Sequence, residues 1–150
     1  MTSHLGLKPA VIDANLPLAI LLALPGREQA SELLSRWWTE GRPLYVPGLW
    51  QLEIASGLRK AVSVGWLTQD EAHEGLRLAA QWAVQVIAED MTLVDDALRW
   101  AARIGQRVIY DSIYLALAER LKADFWTADR KLYRQARVQG ANFVHLLGEK

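Results

Sequence analysis

Cysteine is absent from this chain of 150 residues, which excludes a disulfide framework and a thiolate metal site. Net charge is absent too, because 17 basic side chains balance 17 acidic ones. A protein that coats polyanions of any sequence is therefore disfavoured, whereas a local basic groove is compatible with the composition. Long apolar runs are also lacking: the longest, residues 16–25, is too short to span a bilayer and contains Pro17. Asp13 interrupts the apolar stretch nearest the start, so we expect no export signal, no membrane association and a cytoplasmic protein.

The composition that remains is that of an ordinary globular protein, with 51% hydrophobic residues. A chain of this length has room for one domain with a substantial core. It contains no internal repeat, low-complexity tract or linker. We therefore expect residues 1–150 to form a single domain.

Short β-prone runs alternate with helical patterns along the chain. Five strands are predicted, at residues 10–12, 44–46, 84–87, 125–127 and 142–147. Helices are predicted at residues 15–24, 27–40, 49–64, 69–83, 92–104 and 130–139, and a largely buried helix follows Asp111. Thr68 and Glu71 form a capping-box pattern before the fourth helix. Because each parallel strand pair needs a crossover, the alternation predicts an α/β fold with a parallel sheet covered on both faces.

Four acidic residues stand apart from the solvent-exposed majority. Asp13 ends the first strand, and Glu53 lies one turn into the helix that follows the second strand. Asp111 precedes the buried helix, and Asp129 follows the fourth strand. Strand ends and the helices after them lie at one edge of a parallel sheet, where α/β proteins bind ligands. We therefore expect the four carboxylates to converge.

Such a cluster needs neutralising, because two carboxylates 4 Å apart repel by roughly 4 kcal/mol at an effective dielectric constant near 20. Oxygen ligands suit Mg²⁺, with Mn²⁺ able to substitute, and no histidine lies nearby to favour zinc. Such an ion would lower the pKa of a bound water and neutralise charge on a phosphodiester. We expect Asn15 and Thr127 to orient waters, and Arg130, Lys131 and Arg134 to contact phosphates.

Simpler interpretations of the same residues stay open. Aspartate is a favoured helix N-cap, and the three aspartates each stand where a cap is expected. Glu53 is harder to explain in this way, because a glutamate in an apolar helical stretch needs a partner, which Arg59 or Arg42 could supply. The basic residues after Asp129 could form only a solvated face.

Four blocks of the sequence carry a resemblance to a known family. They are residues 11–15 (Val-Ile-Asp-Ala-Asn), 52–58 (Leu-Glu-Ile-Ala-Ser-Gly-Leu), 110–119 (Tyr-Asp-Ser-Ile-Tyr-Leu-Ala-Leu-Ala-Glu) and 127–132 (Thr-Ala-Asp-Arg-Lys-Leu). Together they resemble PIN-domain ribonucleases and, within that family, the VapC-type toxins of bacterial toxin–antitoxin pairs. Ser56 stands where many members carry asparagine.

The resemblance implies a three-layer α/β/α sandwich and a metal-dependent endoribonuclease acting on RNA. The family's catalytic, metal-binding acids map onto Asp13, Glu53, Asp111 and Asp129, with Ser56 behind them. It also implies a small antitoxin partner and a homodimer.

Other classes of protein share parts of this pattern. A phosphoacceptor receiver domain is α/β with clustered acids, but it usually has adjacent acids at the first strand end. A haloacid-dehalogenase-type phosphatase would carry a second aspartate at the position of Asn15. A non-catalytic PIN-like module that binds RNA or protein is compatible with all the residues above, because retained acids do not prove turnover.

Overall fold

The structure, a computed structural model, describes residues 6–149 and contains one parallel sheet of five strands in the order β3-β2-β1-β4-β5. The strands are β1 (Ala10–Ile12), β2 (Leu44–Pro47), β3 (Gln85–Ile87), β4 (Asp124–Thr127) and β5 (Val144–Leu146). Seven helices are present in the same residues: α1 (Asn15–Leu21), α2 (Arg27–Glu40), α3 (Leu49–Ser63), α4 (Gln69–Ala80), α5 (Met91–Ile104), α6 (Tyr110–Leu121) and α7 (Arg130–Val138). The predicted α/β class, a three-layer α/β/α sandwich with a five-stranded parallel sheet, is confirmed.

Each predicted element is found, with ends that differ by three residues at most. The largest differences are at the carboxyl ends of α1 and α4. The apolar pattern of α1 continues to Leu24, but Ala23 adopts a left-handed backbone (φ 52°) and turns the chain first. The capping box before α4 is present, with reciprocal hydrogen bonds between Thr68 and Glu71.

The centre of the sheet is fully apolar because both of its faces are covered. All three residues of β1 are completely buried between β2 and β4. Helix α6 packs against β1, β2 and β4 and is buried from Ser112 to Ala118, as expected of a helix that is hydrophobic on every side. Strand β1 and helix α6 therefore form a rigid support for the residues at their ends.

The strand order creates one topological switch point. From β1 the chain moves to β2 and β3 on one side, and later places β4 and β5 on the other. The crevice between β1 and β4, at their carboxyl ends, is the position where open α/β sheets bind ligands. Asp13 lies at this crevice, where its backbone N–H donates to the carbonyl oxygen of Trp126 at 2.9 Å.

Asp124 lies at the opposite edge of the sheet, where β4 begins. Its carboxylate forms ion pairs with Lys8 at 3.0 Å and Arg42 at 2.7 Å, and a third contact with His145 at 3.1 Å. Arg42, which was a predicted partner of Glu53, is therefore engaged elsewhere.

None of the helices within residues 6–149 combines the length and the apolar character that crossing a membrane would require.

Candidate active site

A cavity of about 550 Å³ opens at the carboxyl edge of the sheet, over the switch point. All four predicted acids line it. They come from four places in the chain: Asp13 from the end of β1, Glu53 from α3, Asp111 from α6 and Asp129 from the start of α7. The wall also contains Asn15, Ser56 and Lys60, together with apolar side chains that include Leu49 and Leu52.

Asp13 is the most buried of the four, with 6% of its surface exposed. Burial raises the pKa of its carboxyl group to about 7. The hydrogen bond donated by Thr127 Oγ1 to Asp13 Oδ2, at 2.9 Å, works in the opposite direction, whereas the charges of Asp111 and Glu53 raise the pKa further. The fold therefore holds a carboxylate at this position without neutralising it.

Glu53 and Asp111 repeat this behaviour. Burial raises the pKa of Glu53; the hydrogen bond from the hydroxyl of Tyr114, at 2.5 Å, opposes the rise, and the charge of Asp111 adds to it. Burial also raises the pKa of Asp111. The hydrogen bond from Gln106 Nε2, at 3.1 Å, lowers this pKa, and the charge of Asp129 raises it further. Each side chain is thus held by a neutral donor.

The partners predicted for Glu53 were wrong. Arg59 donates to Gln69, and Arg42 is bound to Asp124. The actual partner, Tyr114, is separated from Glu53 by 61 residues. Nothing local to Glu53 in the sequence signals this contact; the signal is an aromatic residue with a hydroxyl group inside an otherwise apolar buried helix.

The capping interpretation accounts for one aspartate only. Asp129 caps α7, since its Oδ1 accepts from the backbone N–H of Leu132 at 3.0 Å. Asp111 is the second residue of α6, and the cap position is Ile109, which offers no side-chain hydrogen bond. Asp13 precedes Ala14, the cap position of α1, which has no side-chain cap; Asp13 Oδ1 accepts from the backbone N–H of Asn15, the first residue of α1, at 3.4 Å, a long contact. A full side-chain cap is therefore found at Asp129 and at neither of the two more buried aspartates.

Thr127 and Asn15 connect two loops of the site directly. Thr127 Oγ1 donates to Asp13, accepts from Asn15 Nδ2 at 3.2 Å and accepts from the backbone N–H of Asp129 at 3.0 Å. Asn15 Oδ1 accepts from the backbone N–H of Ala128 at 3.0 Å. The sequence predicts these side chains to orient water; the contacts in the structure are with protein groups, and they fix the loop after β4 against the loop after β1.

The predicted phosphate-contacting residues lie beside the cavity, outside its wall. Arg130, Lys131 and Arg134 are exposed on α7 and are not part of the cavity wall. Lys60, which sequence reasoning missed, does line the cavity. It follows Glu53 by seven residues, which is two turns of α3, so that helical spacing was an available signal.

A divalent ion fits the chemistry of this donor set. The four side chains are hard oxygen ligands, and among residues 6–149 none of the four forms an ion pair with a basic side chain. Their spacing is wider than a compact site: no three acidic, histidine or cysteine side chains in the described part of the chain are close enough to hold one ion. An ion here would rely on water for part of its coordination, as Mg²⁺ often does.

Comparison with known families identifies the architecture. The PIN domain model matches residues 10–138. The chain belongs to the PIN-domain family. Ribonuclease VapC3 of Pyrobaculum aerophilum is 31% identical over 123 residues, which cover 81% of this chain and 90% of that protein. The resemblance found from the four sequence blocks is confirmed, and the receiver and haloacid-dehalogenase alternatives lose their support.

Solved structures agree with the PIN fold. A toxin–antitoxin complex from Klebsiella pneumoniae superposes with a TM-score of 0.67 at 17% identity, covering 94% of this chain and 99% of that one. VapBC2 from Rickettsia felis, bound to a DNA fragment from its promoter, gives 0.68 at 9% identity, covering 91% and 97%. A Pyrobaculum aerophilum protein gives 0.66 at 20% identity, covering 90% and 83%. At these identities the likeness concerns the fold.

Proposed function

We propose that this PIN-domain protein is a metal-dependent endoribonuclease that hydrolyses RNA phosphodiesters. The observation that carries the proposal is the set of four carboxylates, from distant parts of the chain, which line one cavity with no basic partner for any of them in residues 6–149. Three of the four, Asp13, Glu53 and Asp111, are buried or half-buried, and carboxylates whose pKa values are raised in this way cluster at functional sites. Ribonuclease VapC3, the relative of known activity, supports the choice of RNA.

The roles follow from position. Asp13, Glu53 and Asp111 would hold Mg²⁺, or Mn²⁺ in its place, in part through bound water because the three are too far apart to contact one ion together, and Asp129 would contribute through water or to a second ion. When bound, the ion supplies positive charge beside the phosphate and lowers the pKa of water. Thr127 and Gln106 keep Asp13 and Asp111 oriented through the hydrogen bonds described above.

Substrate contacts come from the basic side chains around the cavity. Lys60 lines the cavity itself, and in this proposal it would contact a phosphate oxygen of the RNA bound there. Arg130, Lys131 and Arg134 lie outside the wall, on the exposed part of α7, and would contact phosphates further along the RNA.

The test is cleavage of structured RNA with Mn²⁺, with Mg²⁺ and with EDTA. The wild type should cleave with either ion and stop in EDTA, and Asp13→Asn should cleave more slowly by about a hundredfold or more with either ion. Asp70→Asn, an exposed acid on α4, is the matched control and should cleave like the wild type. Equal rates for all variants and conditions would contradict the proposal.

We further propose that the protein is the toxin of a type II toxin–antitoxin pair, with a small antitoxin as partner, and that it forms homodimers. The toxin–antitoxin complexes among its structural neighbours support this choice. Co-expression with the product of an adjacent short reading frame should give a stable complex in which cleavage is inhibited. Purification of the two chains apart, with full cleavage in the mixture, would contradict it.

A second candidate is a PIN-like module that binds RNA or protein without cleaving it. The four carboxylates are widely spaced, and no three of them in residues 6–149 lie close enough together to hold one ion. This spacing favours the alternative. In the cleavage test it predicts RNA retention with no product at any Mn²⁺ concentration.

A further inference from the structure

We propose that Tyr114 is a positioning residue of this site: its hydroxyl group holds Glu53 in one orientation at the cavity that Asp111 also lines. The inference rests on the proposed function, because the orientation matters only if Glu53 binds a divalent ion. Tyr114 touches no substrate or ion in this proposal. It acts through the carboxylate.

The tyrosine ring is fixed in place. Tyr114 is completely buried in α6, and its ring stacks on Phe125 of β4 with centroids 5.6 Å apart and planes 20° apart. From this position the hydroxyl group donates to Glu53 Oε1 at 2.5 Å. A buried ring of this kind cannot follow a moving carboxylate, so the carboxylate is held where the ring requires it.

The hydrogen bond from Tyr114 restricts the rotation of the Glu53 side chain. A glutamate side chain has three rotatable bonds, and fixing a side chain of this type is among the larger conformational-entropy costs of the amino acids. Within residues 6–149 the contact with Tyr114 is the one hydrogen bond made by the Glu53 carboxylate, and it involves Oε1. Oε2 is left available to a ligand.

The contact also couples two helices. Asp111 and Tyr114 are three residues apart on α6, so they lie on the same side of that helix. Asp111 faces the cavity directly, while Tyr114 reaches Glu53 on α3. Helix α6 therefore positions the carboxylate of Asp111 directly and that of Glu53 through the hydroxyl group of Tyr114.

The test is Tyr114→Phe, which removes the hydroxyl group and retains the ring that stacks on Phe125. Partners behind metal ligands typically contribute 10- to 100-fold to metal affinity, so the dissociation constant for Mn²⁺, measured by electron paramagnetic resonance, should rise about tenfold. The Mn²⁺ concentration for half-maximal RNA cleavage should rise about equally, while the maximal rate changes by less than about threefold. Tyr133→Phe, on α7, is the matched control and should change neither value.

A double-mutant cycle with Glu53→Gln separates positioning from folding. If Tyr114 acts through Glu53, Tyr114→Phe should not weaken Mn²⁺ binding further in the Glu53→Gln background. A lower melting temperature with unchanged Mn²⁺ affinity in Tyr114→Phe would overturn the assignment and leave the proposed function standing. If the wild type itself bound no Mn²⁺ and cleaved no RNA, the proposed function would fail and the assignment with it.

A measurement on the wild type covers the case in which Tyr114→Phe does not fold. The chain has four tyrosines, so 3-fluorotyrosine labelling gives four fluorine resonances. Mg²⁺ should shift the Tyr114 resonance and leave those of Tyr45 and Tyr133 unchanged. A Tyr114 resonance that does not respond to saturating Mg²⁺ would overturn the assignment.

Discussion

The two edges of the sheet hold buried or half-buried carboxylates in opposite ways. At the amino edge, Asp124 is surrounded by Lys8, Arg42 and His145. Burial alone would raise the pKa of Asp124, but the hydrogen bonds and charges of Lys8 and His145 lower it below its usual value. At the carboxyl edge, Asp13 has a threonine hydroxyl instead of a cation, and its pKa rises to about 7.

The comparison distinguishes two uses of the same side chain. The chain supplies cations for Asp124, so that carboxylate serves the fold. Among the described residues no cation pairs with Asp13, so its negative charge is available to a cation that binds from solution. Burying an unpaired charge is costly, and such a site persists where function requires it.

The largest expected contrast is in catalysis. Asp13→Asn and Asp111→Asn should lower RNA cleavage by about a hundredfold or more, because each removes an anionic ligand of the proposed ion. Asp124→Asn should retain cleavage within about threefold at a temperature where it is folded, since Asp124 is remote from the cavity. Initial rates with saturating Mn²⁺ give the comparison. Loss of cleavage in a folded Asp124→Asn protein would show that the two edges are not separate in function.

The second contrast is in stability without metal. Asp124→Asn should lower the free energy of unfolding by about 1–3 kcal/mol, because it leaves a group of cations without their carboxylate. Asp13→Asn should instead raise the melting temperature at pH 8, since it removes an unneutralised buried charge and the amide oxygen that replaces the carboxylate can still accept from Thr127. Thermal unfolding in EDTA measures both. Two changes of the same sign would contradict the comparison.

The third contrast is in pH dependence. The folded-state pKa of Asp13, about 7, lies above the ordinary aspartate value of 3.8, so the folded protein binds this proton more tightly than the unfolded chain does. Without metal, this group should therefore lower stability as the pH rises from about 4 to about 7, with no further change above that range. Asp124 has a lowered pKa, so its contribution is present at neutral pH and is lost as the pH falls. Urea unfolding across pH should show the first slope reduced in Asp13→Asn and the second reduced in Asp124→Asn.

The smallest effect concerns Lys60. Lys60→Ala should raise KM for RNA by about three- to tenfold with little change in stability, because an exposed lysine that meets one phosphate contributes about 1 kcal/mol. Lys131→Ala, outside the cavity wall, should have a smaller effect on KM. Equal effects of the two variants would remove the special position given to Lys60.

The sequence predicts the frame of this molecule well, for identifiable reasons. Strand β1 is an uninterrupted apolar run, as buried parallel strands are, and the Thr68–Glu71 capping box marks a helix start by local chemistry alone. Carboxylate convergence also follows from the topology, since parallel strands end at one edge.

What the sequence could not supply are contacts made across the fold. The Tyr114–Glu53 hydrogen bond depends on how α6 sits against α3, and the ion pairs of Asp124 join residues that are far apart in the chain. The position of Arg130, Lys131 and Arg134 at the start of α7 predicts that they lie near the site, but a position at a helix start does not fix which way a side chain faces, and their contact with phosphates stays a prediction. Lys60 was missed although its spacing from Glu53 was visible.

Calorimetric titration of the metal-free protein with Mn²⁺ at pH 7, in two buffers of different ionisation enthalpy, tests metal binding by the unpaired carboxylates most directly. We expect saturable binding to the wild type with release of protons, because burial raises the pKa of Asp13 to about 7 and the carboxyl group must ionise to bind the ion. Asp124→Asn should bind in the same way, and Asp13→Asn should lose both the affinity and the proton release. Absence of binding to the wild type, or undiminished binding to Asp13→Asn, would contradict metal binding by these carboxylates.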